Sequence, residues 1–250
     1  MENRVLNYRV VGNGPPLLLV HGFGISFNIW RNLVPLLCPY FTLVTVELPG
    51  LGKSPMPAAG EDYLISAVEA LEHVRRILGF ELWNVLGYST GSRVAEAYVK
   101  KYPENICRAV FLCPLRVENY KILLLRFCFW IDGFVPATIP WLLRGRQFKL
   151  LILLFGFSLQ YDPLVDEWLT EISSRPVQAL KETARMIIPI GAMPFSVPVP
   201  FSLIWGDMDI VPCRPHNAGQ HDYFIHANHA APLLAACEIS KIIIGLYGSS

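Results

Sequence analysis

The stretch that decides the fold is residues 86–91, which read LGYSTG and contain the pattern Gly-x-Ser-x-Gly. An apolar run precedes it at 82–86, and a helix-prone run follows it at 92–99. This order predicts a strand, a sharp turn and a helix. Such a turn lifts the hydroxyl of Ser89 above the end of a sheet and places backbone N–H groups at a helix N-terminus, so Ser89 is a candidate nucleophile.

A second turn is predicted to supply an N–H group to the same place. The apolar strand 17–20 ends in residues 21–24, which read HGFG. We expect the backbone N–H of Phe23 to join that of Thr90 in stabilising a developing oxyanion. We interpret His21 as a residue that braces the turn rather than as a base, because it lies directly at the end of its strand.

A serine nucleophile needs a base, and the base needs an acid that orients it. Both follow the serine along the chain, in the order acid and then histidine. Asp209 comes after the apolar strand 200–205 and directly precedes the apolar turn 210–212, whereas His229 lies between the last predicted strand and the last predicted helix. These two positions are preferred, but the same loops also contain other candidates, Asp207, His221 and His226.

Together these motifs resemble the α/β-hydrolase superfamily over nearly the whole chain. They are residues 21–24 (HGFG), 47–54 (ELPGLGKS), 87–91 (GYSTG), 205–212 (WGDMDIVP) and 228–232 (NHAAP). Within the superfamily, residues 20–24, 28–31 and 41–54 are most similar to the pimeloyl-carrier-protein methyl ester esterases of biotin synthesis. The resemblance implies a serine esterase that needs no metal or organic cofactor.

The chain departs from the superfamily pattern at several positions. Glu47 stands where an aspartate is usual, and Asn228 precedes the histidine where a glycine is usual. Between the aspartate and the proline of residues 205–212, this chain has one residue fewer than is usual. Residues 212–222, where the superfamily usually has a helix before the next strand, are also few for a helix. These departures leave the choice of acid and base open.

Strand-like segments at 4–11, 16–21, 41–47, 82–88 and 108–113 alternate with helix-like segments at about 28–38, about 62–78 and 91–101. This alternation predicts an α/β fold, with a mostly parallel central sheet and helices on both faces. The alternation stops after Pro114 and resumes at Pro200. We therefore expect a hydrolase core made of residues 1–115 and 197–250, with a helical cap inserted at 116–196. A last helix is expected from about Ala230 towards Tyr247.

The predicted cap is strongly apolar, yet the runs at 122–131 and 150–155 are shorter than the ~20 residues that span a bilayer. Cap helices over an apolar pocket are the preferred interpretation, and contact with a membrane surface is the less favoured one. Residues 116–149 contain six basic and two acidic residues. This charge fits either an acidic acyl carrier protein or an ordinary solvated face.

Composition excludes several other classes of function. The formal net charge is +1, which argues against general nucleic-acid binding. No phosphate-binding loop, dinucleotide fingerprint or clustered Cys/His spacing is present in the sequence. The six scattered cysteines and the absence of a signal-peptide core at the N-terminus favour a reduced, cytoplasmic protein.

The sequence thus predicts a carboxylesterase in which Ser89, His229 and Asp209 act through an acyl-enzyme. Phe23 and Tyr88, which flank the predicted site, are expected to line the substrate pocket. The expected substrate is a small-molecule or carrier-bound ester. A thioesterase or a carbon–carbon bond hydrolase would use the same residues, and a ligand-binding or receptor protein with slow turnover is the alternative from another class. Serine rather than aspartate at position 89 argues against a dehalogenase.

Overall fold

The structure is a computed structural model that describes residues 5–116, 119–135, 141, 163–186, 196–212 and 219–247. In these residues strands and helices alternate along the chain. The strands are β1 (Tyr8–Val11), β2 (Pro16–Val20), β3 (Thr42–Val46), β4 (Trp83–Tyr88), β5 (Ile106–Leu112), β6 (Phe201–Gly206) and β7 (Asp222–Ile225). The helices are α1 (Val34–Leu37), α2 (Tyr63–Ile77), α3 (Thr90–Lys101), α4 (Asn119–Phe134), α5 (Pro163–Ser173), α6 (Val177–Arg185), α7 (Ala231–Leu234) and α8 (Ala236–Tyr247).

The seven strands form one sheet in the order β1-β3-β2-β4-β5-β6-β7. Only β1 runs antiparallel to its neighbour, β3, and the other pairs are parallel. Strand order reverses between β2 and β4, which places their carboxyl ends side by side. In open sheets of this kind such a point is where ligands bind.

Helices cover both faces of the sheet, as the sequence predicts. Along β2, Leu17 and Leu19 belong to one core cluster, and Leu18 and Val20 belong to the other. The first cluster is completed by side chains of α1 and α8, and the second by side chains of α2 and α3. Because β2 is buried on both faces, all its side chains from residue 17 to residue 20 are apolar, which explains the sequence LLLV.

Two predicted helices differ from those observed. The helix expected at about 28–38 is a 3₁₀ turn, Phe27–Trp30, followed by the short α1, and Pro35 lies in the first turn of α1. Proline fixes φ and lacks a backbone N–H, so it fits the first turn of a helix but not its interior. The helix α1 therefore begins next to Pro35 and does not continue from the preceding 3₁₀ turn. The last predicted helix is divided at Ala235 into α7 and α8.

Three helices, α4, α5 and α6, lie between β5 and β6, in the segment where the sequence predicts a cap. The rest of that segment, 117–118, 136–140, 142–162 and 187–195, lies outside the described residues, as does 213–218 in the short segment after Pro212. Among the helices that the structure does describe, none combines the length and the apolar character needed to cross a membrane.

Helices α5 and α6 pack over the loop that follows β2. A Cβ on Gly24 would lie 2.7 Å from Ile172 of α5 and 2.8 Å from Leu180 of α6. The guanidinium of Arg31 forms a bidentate pair with Glu167 of α5, at 3.0 and 2.9 Å. The loop that contains Phe23 is therefore enclosed between the sheet and these two helices.

Candidate active site

Ser89 occupies the turn between β4 and α3, with φ 53° and ψ −122°. A residue with a side chain rarely adopts this conformation, so the surroundings must hold it in place. The backbone N–H of Ser89 donates to the carbonyl of Leu112 at 3.1 Å, and the hydroxyl of Ser92 donates to the carbonyl of Ser89 at 2.5 Å. Strand β5 and helix α3 thus fix the Ser89 backbone from two sides.

Glycines allow the backbones around Ser89 to approach closely. A Cβ on Gly91 would lie 2.2 Å from the carbonyl oxygen of His21, and a Cβ on Gly22 would lie 3.0 Å from the Cβ of Ser89. Side chains at these two positions would collide with their neighbours. The loop after β2 therefore lies directly against the turn and the start of α3.

Ser89, His229 and Asp209 form a continuous hydrogen-bonded chain. The Oγ of Ser89 lies 2.8 Å from Nε2 of His229, and Nδ1 of His229 lies 2.8 Å from Oδ2 of Asp209. The N–H of Val211 donates to the other carboxylate oxygen at 3.0 Å. All three side chains are buried. A carboxylate that accepts from Nδ1–H leaves Nε2 free to take a proton from the serine.

The alternative acid and base lie together at the surface. Nδ1 of His226 is 2.9 Å from Oδ2 of Asp207, and both side chains are exposed. The hydrogen bond that His226 donates to the Asp207 carboxylate raises the pKa of His226. His221 packs against the ring of Phe201, with ring centroids 4.7 Å apart. The structure thus brings Asp209 and His229 to the serine and places the three alternatives elsewhere.

The two residues predicted to provide oxyanion N–H groups lie on adjoining loops. Thr90 is the first residue of α3, so its backbone N–H has no acceptor within that helix. Phe23 lies in the loop that packs against the turn, and its side chain is partly buried against the core. The N-terminus of α3 therefore lies beside the turn after β2. Unpaired backbone N–H groups at a helix N-terminus are suited to bind an anion.

Tyr88 is fully buried, and its side chain is directed to His229. The hydroxyl donates to the backbone carbonyl of His229 at 2.5 Å, and the two ring centroids are 5.5 Å apart. The tyrosine ring also meets the ring of Trp30 edge-on, with centroids 6.0 Å apart. The sequence places Tyr88 next to the serine but does not indicate this contact, because it joins residues far apart in the chain.

Cys113 is a further residue of the site that the sequence does not identify. Its thiol and the side-chain ligand atoms of Asp209 and His229 lie within 4.8 Å of one another. The cysteine has φ 43°, and its N–H donates to the carbonyl of Ile204 at 2.7 Å. Burial and the neighbouring Asp209 carboxylate raise the pKa of the thiol well above its usual value.

These three groups do not fit a metal ion. Both ring nitrogens of His229 are already engaged, one by Ser89 and the other by Asp209. The cluster is therefore better described as the serine site with a thiol at its buried end.

His21 joins the turn after β2, which the sequence predicts it to brace, to the loop after β3. Its Nε2 accepts the N–H of Leu48 at 3.0 Å, and its Nδ1 lies 2.8 Å from the carbonyl oxygen of Gly22. Burial lowers the pKa of His21 to about 4, so the ring is neutral at pH 7. Glu47 anchors the same loop by accepting the side-chain amide of Asn7 and the N–H of Lys53, each at 2.7 Å.

The fold is that of an α/β hydrolase. The sequence profile of the alpha/beta hydrolase fold matches residues 15–166, and the chain belongs to that family. An esterase from Thermogutta terrifontis superposes with a TM-score of 0.78 at 19% identity, over 98% of this chain and 93% of that one. This superposition independently shows the fold.

The curated relatives share only part of their length with this chain. A fluoroacetate dehalogenase from Burkholderia sp. is 31% identical over 105 residues, which are 40% of this chain and 34% of the relative. A pimeloyl-[acyl-carrier protein] methyl ester esterase from Aeromonas hydrophila is 38% identical over 96 residues, 38% of this chain and 36% of the relative. Each alignment thus spans about a third of the relative.

Proposed function

We propose that the protein is a serine hydrolase that cleaves carboxylic esters through an acyl-enzyme. The observation that carries this proposal is the buried chain from Ser89 Oγ through His229 to Asp209, with 2.8 Å at each step. Membership of a hydrolase family and partial similarity to a methyl ester esterase support it. Serine at the nucleophile position argues against the chemistry named for the dehalogenase relative.

In the proposed reaction, Ser89 attacks the ester carbonyl while Nε2 of His229 takes the hydroxyl proton. Asp209 holds the imidazole with its proton on Nδ1 and stabilises the imidazolium that forms. The N–H groups of Phe23 and Thr90 bind the negative oxygen of the tetrahedral intermediate. His229 then gives the proton to the leaving alcohol, and it activates the water that releases the acid from Ser89.

The proposed substrate is a short-alcohol ester of a medium-length acyl chain, either free or bound to a carrier protein. The relative from Aeromonas hydrophila supports a methyl ester on an acyl carrier, and hence a role in biotin synthesis. The basic residues that favour an acidic carrier, Arg144 and Arg146, lie outside the described residues. If the pocket is apolar, kcat/KM will rise with acyl length over the first carbons, by up to about 0.8 kcal/mol per buried CH₂.

The central test combines p-nitrophenyl esters of increasing acyl length with a fluorophosphonate label. We expect the label on Ser89, and we expect Ser89→Ala to lose labelling and at least a thousandfold of turnover. Ser66→Ala, on helix α2, is the matched control and retains both. A folded Ser89→Ala protein with normal turnover would refute the assignment.

Mass spectrometry of the trapped acyl-enzyme then separates the related functions. The protein is incubated with matched esters, thioesters and carrier-bound acyl chains, and the acyl group on Ser89 is measured together with the rate of its release. Faster acylation by esters supports the proposal. Faster acylation by thioesters would assign a thioesterase instead, and binding without turnover would assign a ligand-binding protein.

A further inference from the structure

Helix α4 carries a stripe of large apolar side chains that face solvent. The fractional exposures are 67% for Leu123, 52% for Phe127, 61% for Trp130 and 72% for Phe134. Spacings of four, three and four residues place all four within about 60° of one another around the helix axis. Phe127 stacks on Trp130 at 5.8 Å between centroids, and Trp130 meets Phe134 edge-on at 5.1 Å.

The opposite side of α4 is fixed to the rest of the protein. Asp132 is buried and forms an ion pair with Lys181 of α6 at 2.6 Å. The guanidinium of Arg185, also on α6, lies 5.4 Å from the ring centroid of Phe129. Cys128 and Phe129 pack against the core. The helix is thus held by one side, and the stripe is presented on the other.

One exposed cation borders the stripe among the described side chains of α4. Arg126 is exposed and lies about 40° beyond the edge of the stripe on the helix surface. The one acidic residue within the described helix, Asp132, is turned inward and paired with Lys181. Exposed aromatic and aliphatic side chains bordered by a cation are typical of helices that lie in the interface of an anionic bilayer.

We propose that this stripe is a docking surface for an anionic lipid bilayer, with Leu123, Phe127, Trp130 and Phe134 entering the interface. The four side chains together expose about 500 Å². A stable protein dimer buries ~800 Å² on each partner, so the stripe is too small for a second copy of the chain without additional contacts. A bilayer imposes no such minimum area, and each immersed side chain adds to binding. The surface does not involve Ser89, so it does not depend on the proposed esterase activity.

The test is co-sedimentation of the full chain with vesicles of phosphatidylcholine alone or mixed with phosphatidylglycerol. We expect the wild-type protein to bind the anionic vesicles at least tenfold more tightly than the neutral ones. The double variant Phe127→Gln/Trp130→Gln should lose at least tenfold in binding. Ile65→Gln is the matched control, because Ile65 is similarly exposed but is not part of an apolar stripe: the other exposed large apolar residue of α2, Ile77, lies at the far end of the helix. Arg126→Glu should weaken binding to the anionic vesicles only.

Brominated lipids provide a direct measure of insertion, because they quench tryptophan that enters the bilayer. Wild-type fluorescence should be quenched, and Trp130→Phe should still bind while losing most of that quenching. Equal binding by wild type and the double variant, or no binding by the wild type, would overturn the proposal. If the wild type instead forms a dimer that binds no vesicles, and the double variant is a monomer, the stripe binds a second copy of the chain. That result would also overturn the proposal.

Thermal melting and hydrolysis of a soluble ester show that each variant is folded. Leu123→Gln/Phe134→Gln repeats the test with the other two side chains of the stripe, so it remains decisive if the first double variant does not fold. Full binding by a folded Leu123→Gln/Phe134→Gln protein would also count against the proposal.

Discussion

The phenol oxygen of Tyr88 lies 2.5 Å from the backbone carbonyl oxygen of His229, the residue whose ring contacts Ser89. The residue just before the serine in the chain therefore holds the backbone of the candidate base. The two rings also lie against each other, with centroids 5.5 Å apart. The sequence predicts that Tyr88 lines the substrate pocket, whereas this geometry indicates that it positions His229.

Tyr88→Phe separates these two roles. It keeps the ring contact and removes the hydrogen bond, which leaves the His229 carbonyl buried without this donor. Because the His229 backbone loses this support and the imidazole can shift from Ser89, we expect kcat to fall roughly tenfold or more. KM should change little, since a positioning residue does not contact substrate. Steady-state kinetics on a p-nitrophenyl ester measures both parameters.

Tyr98→Phe is the matched control for this prediction. The hydroxyl of Tyr98 is also buried, but it donates to Glu72 at 2.9 Å and lies in the core cluster on the α2 and α3 side of the sheet. This variant should lose thermal stability and keep kcat. If Tyr88→Phe instead raises KM at constant kcat, the substrate-lining interpretation is the better one.

Two His–Asp pairs in the described part of the chain allow a matched test of acid and base. His229–Asp209 and His226–Asp207 have almost the same Nδ1–Oδ2 distance, 2.8 and 2.9 Å, but only the first is buried beside Ser89. We expect Asp209→Asn and His229→Ala to lower kcat by about 10⁴. Asp207→Asn and His226→Ala should remain within about twofold of the wild type. The reverse order would reassign both roles.

Much of the fold was predictable because its signals are local in the sequence. The apolar runs of β2 and β4 and the helical spacing of α2 depend on neighbouring residues, and the structure confirms the α/β architecture. The Gly-x-Ser-x-Gly turn is recognisable from its own residues, although the collision that requires Gly91 is with the backbone of His21, which is distant in the chain. Elements with these local signals lie close to their predicted bounds.

The contacts within the site were less predictable because they join distant parts of the chain. Cys113 lies at the end of β5, and nothing in its neighbouring residues indicates that its thiol approaches Asp209. The choice between Asp209 and Asp207 was equally open, because the two residues lie in the same short loop. Only the path of the chain after β6 directs one carboxylate inward and the other to solvent.

Cys113 should be unreactive in the folded protein. Burial and the Asp209 carboxylate raise the pKa of its thiol, and the thiolate is the form that reacts. Cys107 and Cys237 are exposed. With a disulfide reagent at pH 8, we expect both exposed cysteines to be labelled within minutes and Cys113 only after denaturation. Peptide mass spectrometry identifies the sites, and labelling of native Cys113 as fast as Cys107 would contradict the geometry.

Buried His21 should make stability depend on pH in the acid range. Its pKa is lowered by burial from 6.5 to about 4, so between these values the unfolded chain binds a proton that the folded one does not. The free energy of unfolding should therefore be unaffected by His21 above pH 6.5. As the pH falls from 6.5 to 4 it should decrease by about 3 kcal/mol, and below pH 4 this decrease should level off.

Urea denaturation of the wild type and His21→Gln at several values between pH 4 and 8 measures this contribution. Glutamine offers an oxygen in place of Nε2 to accept the Leu48 N–H, and it does not titrate, so its stability curve should be flatter below pH 6.5. His226→Gln is a control of opposite sign, because Asp207 raises the pKa of His226. Protonated His226 stabilises the folded state below the pKa that this histidine has in the unfolded chain. This stabilisation is lost as the pH rises through the raised pKa of the folded state. Parallel curves for the wild type and His21→Gln would show that His21 is not the neutral brace that its contacts with Gly22 and Leu48 indicate.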